Sequence, residues 1–129
     1  MRILLDTHIF LWMQTAPERL GADSLRLLED GENDLYLSAA SSWEISIKHA
    51  LGRLALPLPP GEYVPSRMQT SGVLGLAIEH SHALGVADLP PHHADPFDRL
   101  LIAQAQLEKM PILTVDPQFS LYEVEILGA

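Results

Sequence analysis

Short apolar runs that stop on an acid constrain this chain more than any other feature. Near one end, "MRILLDTHIF" carries Ile3 to Leu5 straight into Asp6; near the other, "KMPILTVDPQF" carries Ile112 to Val115 into Asp116. These runs, with Leu35 to Leu37 and Val73 to Ile78, lack apolar–polar alternation, the pattern of strands covered on both faces. Strands of that kind need helices above and below them, and the intervening segments supply helical periodicity. Pro17 to Asp30 predicts a helix stopped by Gly31, and Ser41 or Ser42 is placed to cap a second helix running towards Leu54. After the proline-rich "LPLPPGEYVP" a short helix is expected around Tyr63 to Thr70, and "EHSHALGV" has room for one or two turns. The clearest helix is "HHADPFDRLLIAQAQLEKM", with Asp95 as cap, Pro96 at the first helical position and Lys109 near the end. Glu123 to Leu127 is expected to add an edge strand. Strands alternating with helices predict an α/β domain with a mainly parallel central sheet of four to five strands, flanked by α-helices and joined by right-handed crossovers.

At 129 residues the chain has the length of one domain, read here as residues 1–129. It is 47% hydrophobic and 19% charged, which excludes a disordered chain. Eight Lys plus Arg against seventeen Asp plus Glu give a formal charge of -9, so no broad basic surface marks a nucleic-acid binder. Absence of cysteine excludes disulfides and thiolate metal sites and is compatible with a reducing compartment. Asp6 and His8 interrupt any signal-peptide-like run, and no stretch approaches the ~20 apolar residues of a membrane span. The expectation is a soluble, cytoplasmic, single-domain protein with no membrane contact.

In a parallel sheet, ligands bind outside the carboxyl ends of the strands. Asp6 and Asp116 each stand at one such end, and Glu44 falls in the expected first turn of the helix after the second strand. Asp98 opens the helix leading to the fourth strand; its place at the same rim is left to the length of the segment from Glu79 to Ala94. Carboxylates ~4 to 6 Å apart repel by roughly 3 to 4 kcal/mol per pair at an effective dielectric near 20. A divalent cation relieves that repulsion, and all-oxygen ligation with retained waters favours Mg²⁺ or Mn²⁺ over zinc. Each acid alone also has a structural explanation. Asp6, Asp95 and Asp116 are placed to cap helices, Glu44 and Lys48 form a favourable i, i+4 pair, and Asp98 sits where the helix dipole welcomes an acid. Their joint occurrence at one rim favours the site.

"EHSH" and "HHAD" place His80, His82, His92 and His93 in two short clusters without the i, i+4 spacing of strong zinc motifs. His93 is within reach of a substrate phosphate or of Asp95. Phe10, Trp12, Trp43 and Phe97 read as core or interface residues ahead of base-stacking platforms.

With these acids in place, the sequence resembles the PIN-domain proteins, and within them ribonuclease toxins of the VapC type from toxin–antitoxin pairs. "LLDTHIFLW", "LSAASSWEISIKHALGRL", "LPPHHADPFDRLLIAQA" and "ILTVDPQFSLY" carry the resemblance nearly end to end, in the family's order and approximate spacing. It implies a PIN-like fold in which Asp6, Glu44, Asp98 and Asp116 are catalytic and bind Mg²⁺, with Mn²⁺ able to substitute. Asp6 and Asp98 are then the principal metal contacts, Glu44 and Asp116 support them directly or through water, and Thr114 orients the site while Asp95 caps or supports. The implied reaction is endonucleolytic hydrolysis of RNA that leaves a 5'-phosphate and a 3'-hydroxyl. The implied partners are an RNA substrate, a small antitoxin whose basic tail enters the acidic site, and a second copy of the chain. Lys48, Arg53, Arg67 and Arg99, with His93, are the groups available for phosphates, and Phe10 to Met13 with the loop after Leu54 are candidate dimer contacts. His8 departs from the Ser or Asn that many relatives carry two residues after the first acid.

Other classes remain for comparison. A PIN fold serving RNA maturation or quality control shares the same acids, and an inactive PIN fold used for binding would not need the complete set. A signalling receiver domain also has acids at a sheet rim, but it needs an acceptor Asp ending a middle strand and a Lys ending a later one. "LSAAS" and "LTVDP" supply neither.

Overall fold

The structure, a computed structural model, describes residues 1–128. Five strands, β1 (Arg2–Leu5), β2 (Asp34–Ser38), β3 (Leu74–Leu76), β4 (Ile112–Leu113) and β5 (Ile126–Leu127), form one sheet in the order β3-β2-β1-β4-β5. Every pairing is parallel. Six helices cover it: α1 (Thr7–Thr15), α2 (Ala22–Glu29), α3 (Ala39–Ala50), α4 (Pro60–Ser71), α5 (His80–Gly85) and α6 (Pro96–Glu108). None of the described helices is long and apolar enough to cross a membrane.

The alternation of side chains across the pleat explains why the strand sequences are apolar throughout. Ile3, Leu5, Leu35, Leu37 and Leu113 enter one core with Ile9, Phe10, Ile45 and Tyr63, whereas Leu4 and Ile112 enter a second with Leu101, Ile102 and Phe119. Each face of the sheet therefore has its own helix layer.

Boundaries moved where capping chemistry overrode the apolar pattern. Ser38, not Ser41 or Ser42, caps α3 by accepting from the Ala40 N–H at 3.0 Å, which puts Glu44 in the second turn instead of the first. The helix ends at Ala50, and Gly52 at φ 72 turns the chain before Leu54 is reached. The stretch Pro17 to Asp30 divides at Gly21 into a 3-10 turn, Pro17–Arg19, and α2. Pro60 starts α4 three residues earlier than Tyr63, and Gly72 ends it in the left-handed region. Strands β3 and β4 are shorter than their apolar runs.

A buried polar knot aligns three elements. Ser38 Oγ donates to Gln104 Oε1 at 2.5 Å, Gln104 Nε2 donates to the Ala77 carbonyl at 3.2 Å, and His82 Nδ1 accepts from the Glu79 N–H at 3.0 Å beside it. Gln104 and Ser38 are wholly buried, so each bond is made away from competing water. The knot ties α6 to the start of α3 and to the segment after β3. His82 is thus a structural residue. Among the described residues no three His or acidic side chains form a preassembled metal cage, at the histidine clusters or elsewhere.

Truncation of Leu4, fully buried in the centre of the sheet, tests the two-faced core. Leu4→Ala is expected to cost about 2–5 kcal/mol in urea unfolding, read as a lower midpoint at unchanged slope; a loss below about 1 kcal/mol would contradict packing on that face.

Candidate active site at the sheet rim

From β1 the chain winds outward through β2 to β3, then crosses back to lay β4 on the other side of β1. The reversal opens a crevice between the carboxyl ends of β1 and β4, the place where open α/β sheets bind ligands. Asp6 and Asp116 leave from those two strands. The Asp6 N–H donates to the Leu113 carbonyl at 3.0 Å across the gap. Asp98 needs no long connection to arrive there. A helix that returns antiparallel to the strands begins at their carboxyl rim, so the first turn of α6, like the start of α3, belongs at this edge by topology.

The side chains are held by neutral donors and, at Glu44, by one ammonium. Asp6 occupies the cap position of α1, but its carboxylate makes no capping bond. It turns into the crevice and accepts from Thr114 Oγ1 at 2.8 Å, and the same oxygen of Thr114 accepts from the Asp116 N–H at 3.0 Å. Thr114 therefore couples the first acid to the last. Glu44, almost fully buried, accepts from Thr7 Oγ1 at 2.8 Å and from Lys48 Nζ at 2.5 Å. Ser41 Oγ lies 2.8 Å from the same Thr7 oxygen. A hydroxyl has one proton and a carboxylate only accepts, so the Thr7 proton is directed to Glu44. Asp95 caps α6 through the N–H groups of Phe97 and Asp98 at 2.9 and 3.1 Å, and Asp116 caps the following 3-10 turn through Gln118 N–H at 2.9 Å.

The acids act on one another electrostatically. Asp98 is pushed up to about 8, first by burial and then by the charges of Asp95, Asp6, Glu44 and Asp116. Burial also raises Asp6, and Glu44 adds to the rise, against the Thr114 hydrogen bond, His8 and the Thr7 N–H, which lower it. Lys48 is raised chiefly by its bond to Glu44, with Asp95 and Asp98 contributing. One lysine thus faces several acids, and the negative excess falls on Asp98. An all-oxygen donor set with an uncompensated excess of negative charge fits Mg²⁺ or Mn²⁺, which take one or two protein carboxylates and keep several waters. It does not need the closed cage that the described residues lack.

The expected phosphate-binding groups are distributed differently. A cleft of about 460 Å³ runs from Thr7 and Glu44 along α1 and α3, lined on its charged side by Arg19, Lys48 and Arg53 and on its apolar side by Leu11, Trp12 and Leu54. Arg19 lies over the Trp12 ring, 4.9 Å from its centroid. Arg19, Thr7 and Ser41 were missed in the sequence because the Thr7 bonds to Glu44 and Ser41, and the place of Arg19 in the cleft, arise from the packing of α1 against α3. Arg67 lies outside the cleft lining, stacked over Tyr63. Arg99 donates to the carbonyls of Pro90, Val86 and Leu89 and to Tyr122, so its guanidinium clasps the loop before α6. His93 approaches Asp98, not Asp95, at 3.4 Å. Phe10 lies in the core, out of reach of any partner, whereas Trp43 is 56% exposed on the rim, edge-on to Phe97.

An acid-lined crevice at the switch point of a small parallel sheet defines a class of fold, and comparison with known proteins identifies it. The model of the family described as PIN domain matches residues 3–125, and the chain belongs to that family. It is 43% identical over 68 residues to Ribonuclease VapC16 of Mycobacterium tuberculosis. The match takes in 50% of this chain and 48% of that relative, so the chain spans about half the length of the curated protein it matches. Solved structures with the same fold include VapBC2 from Rickettsia felis bound to a promoter DNA fragment, with TM-score 0.70 and 13% identity over 98% of both chains. FitAcB from Neisseria gonorrhoeae follows at TM-score 0.65 and 19% identity, covering 98% of this chain and 96% of that one. A toxin–antitoxin complex from Klebsiella pneumoniae gives 0.64 and 16%, covering 97% and 95%.

The raised Asp98 links stability to pH with a definite sign. Its folded value of about 8 lies above the ~3.9 of an unfolded aspartate, so between the two the folded chain holds a proton that the unfolded chain has released. Stability is then greatest below about pH 4 for this group and is lost as pH rises towards 8; Asp6 acts in the same direction. Metal-free protein is expected to lose several degrees of Tm between about pH 5 and pH 8, and Asp98→Asn to flatten most of that slope by calorimetry.

Proposed function

We propose that this chain is a metal-dependent endoribonuclease and the toxin of a toxin–antitoxin pair. The observation that carries the reading is the crowding of Asp6, Glu44, Asp95 and Asp116 around Asp98 at the switch point of a PIN domain. The ribonuclease name of its relative and the toxin–antitoxin complex among its structural neighbours support it.

Asp6 and Asp98, with Glu44 and Asp116 beside them, are the groups that would hold Mg²⁺ or Mn²⁺. Such an ion, when bound, acidifies a water and polarises the phosphoryl oxygens. The chain does the rest by placement. Thr114 aims Asp6, and Thr7 with Lys48 holds Glu44. In the hydrolysis, a water oxygen bonds to phosphorus in line with the bond to the 3'-oxygen, which breaks to leave a 3'-hydroxyl and a 5'-phosphate. Lys48, Arg53 and Arg19 line the cleft that opens from Glu44, three cations against one carboxylate in a chain of net charge -9. This cleft is the entry for the RNA backbone.

The acidic rim itself suits a basic antitoxin tail, which would compete with RNA for the same exit of the cleft. A second copy of the chain has apolar surface to meet in the region after α3, where Leu51 and Leu58 are exposed.

Purified protein is expected to cleave structured RNA with Mg²⁺ or Mn²⁺ and to stop in EDTA. Asp6→Asn should lower kcat/KM by at least about 100-fold, on the order of 3 kcal/mol of barrier. Activity surviving both complete chelation and that substitution would end the reading. Arg19→Ala combined with Arg53→Ala is expected to raise KM with little change in kcat and to reduce the log–log salt slope of RNA binding by about 1.4, the value for two lost phosphate contacts on a single strand.

A further inference from the structure

His93 was a candidate for phosphate binding, and one of its two ring nitrogens is buried without a hydrogen-bond partner among the described residues. Its side chain is 10% exposed; Nδ1 lies 2.7 Å from the Tyr122 hydroxyl, and Nε2, buried and without a hydrogen-bond partner among the described residues, faces Asp98 Oδ2 at 3.4 Å. The Tyr122 hydroxyl in turn lies 3.1 Å from Arg99 Nη1.

The proton inventory gives this row a direction. A guanidinium only donates, so the tyrosine oxygen accepts from Arg99. Among the partners of this hydroxyl, His93 Nδ1 is the one able to accept the tyrosine proton, and in that arrangement Nδ1 carries no hydrogen. A neutral imidazole with an accepting Nδ1 carries its proton on Nε2, the nitrogen that faces Asp98. Arg99 is anchored by the carbonyls of Pro90, Val86 and Leu89, and the Tyr122 ring lies edge-on to both His92 and His93. The loop before α6 and the segment after β4 thus converge on one imidazole and fix its plane.

We propose that His93 is a positioning residue for Asp98: the row Arg99 to Tyr122 to His93 sets the Nε2–H tautomer, and that otherwise unpartnered N–H is aimed at Oδ2, leaving the other carboxylate oxygen for a divalent cation. This role rests on the metal-binding reading of the acidic rim. A partner behind a ligand commonly changes metal affinity by about 10–100-fold.

The test uses the full chain and Mn²⁺ alone. In metal-free protein, long-range ¹⁵N–¹H correlation of the imidazoles is expected to find His93 as the Nε2–H tautomer; the Nδ1–H form would overturn the assignment. By calorimetry His93→Leu should weaken Mn²⁺ binding about 10-fold, whereas His93→Gln, whose amide N–H stands near the Nε2 position, should stay within about threefold of the parent. Tyr122→Phe, which keeps the ring packing, should give mixed tautomers and an intermediate loss. In RNA cleavage the His93→Leu loss is expected in kcat, with KM unchanged. Equal Mn²⁺ affinity for parent, His93→Leu and Tyr122→Phe would sink the positioning role while leaving the metal reading intact. No Mn²⁺ uptake by the parent would sink that reading first, and this proposal with it.

Discussion

Everything at the rim depends on one reversal of the chain. Because β4 is laid beside β1 instead of continuing outward from β3, two connections leave neighbouring strands in opposite directions and a gap opens between them. Backbone cannot fill that gap, so it is closed from the sides by short polar groups. Thr114 bridges Asp6 and the Asp116 N–H, and the Leu113 carbonyl takes the Asp6 N–H. The acids sit where the sheet has the fewest partners to offer, and burial there raises Asp98 and Asp6 together.

The surrounding structure supports carboxylates without neutralising them. Thr7, Thr114 and main-chain N–H groups supply directed hydrogen bonds, which fix geometry, but among the described residues no ammonium or guanidinium apart from Lys48 on Glu44 bonds to the group. Arg99 follows Asp98 directly, yet the helical turn sends it away from the rim to the loop carbonyls. The result is stiffness with unspent negative charge, an arrangement that costs stability at neutral pH and favours a cationic occupant.

Much of this was legible before the structure. Apolar runs without alternation announced strands buried on both faces, and the pairing of Asp95 with Pro96 marked the start of α6 to the residue. That Asp6, Glu44 and Asp116 stand at the carboxyl rim followed from two strand ends and a helix start, whereas Asp98 was left to the length of the segment before it and reaches the rim through the direction of α6. Helix starts were less legible. Ser38, Ser41 and Ser42 are chemically equivalent caps, and only the Gln104 contact, sixty-six residues away, favours the first. Arg19 and Arg53 meet in one cleft through tertiary structure alone. His93 and Tyr122 are separated by the whole of α6 and β4, so no local pattern links the imidazole to the phenol that fixes its proton.

The two indoles of the chain occupy contrasting surroundings. Trp12 lies beneath a guanidinium in the cleft, and Trp43 stands on the rim against Phe97, one residue from Glu44. Removing either one leaves a lone chromophore whose emission reports a single location, cleft or rim. Occupancy of the two places can then be followed separately by light, without attaching a dye.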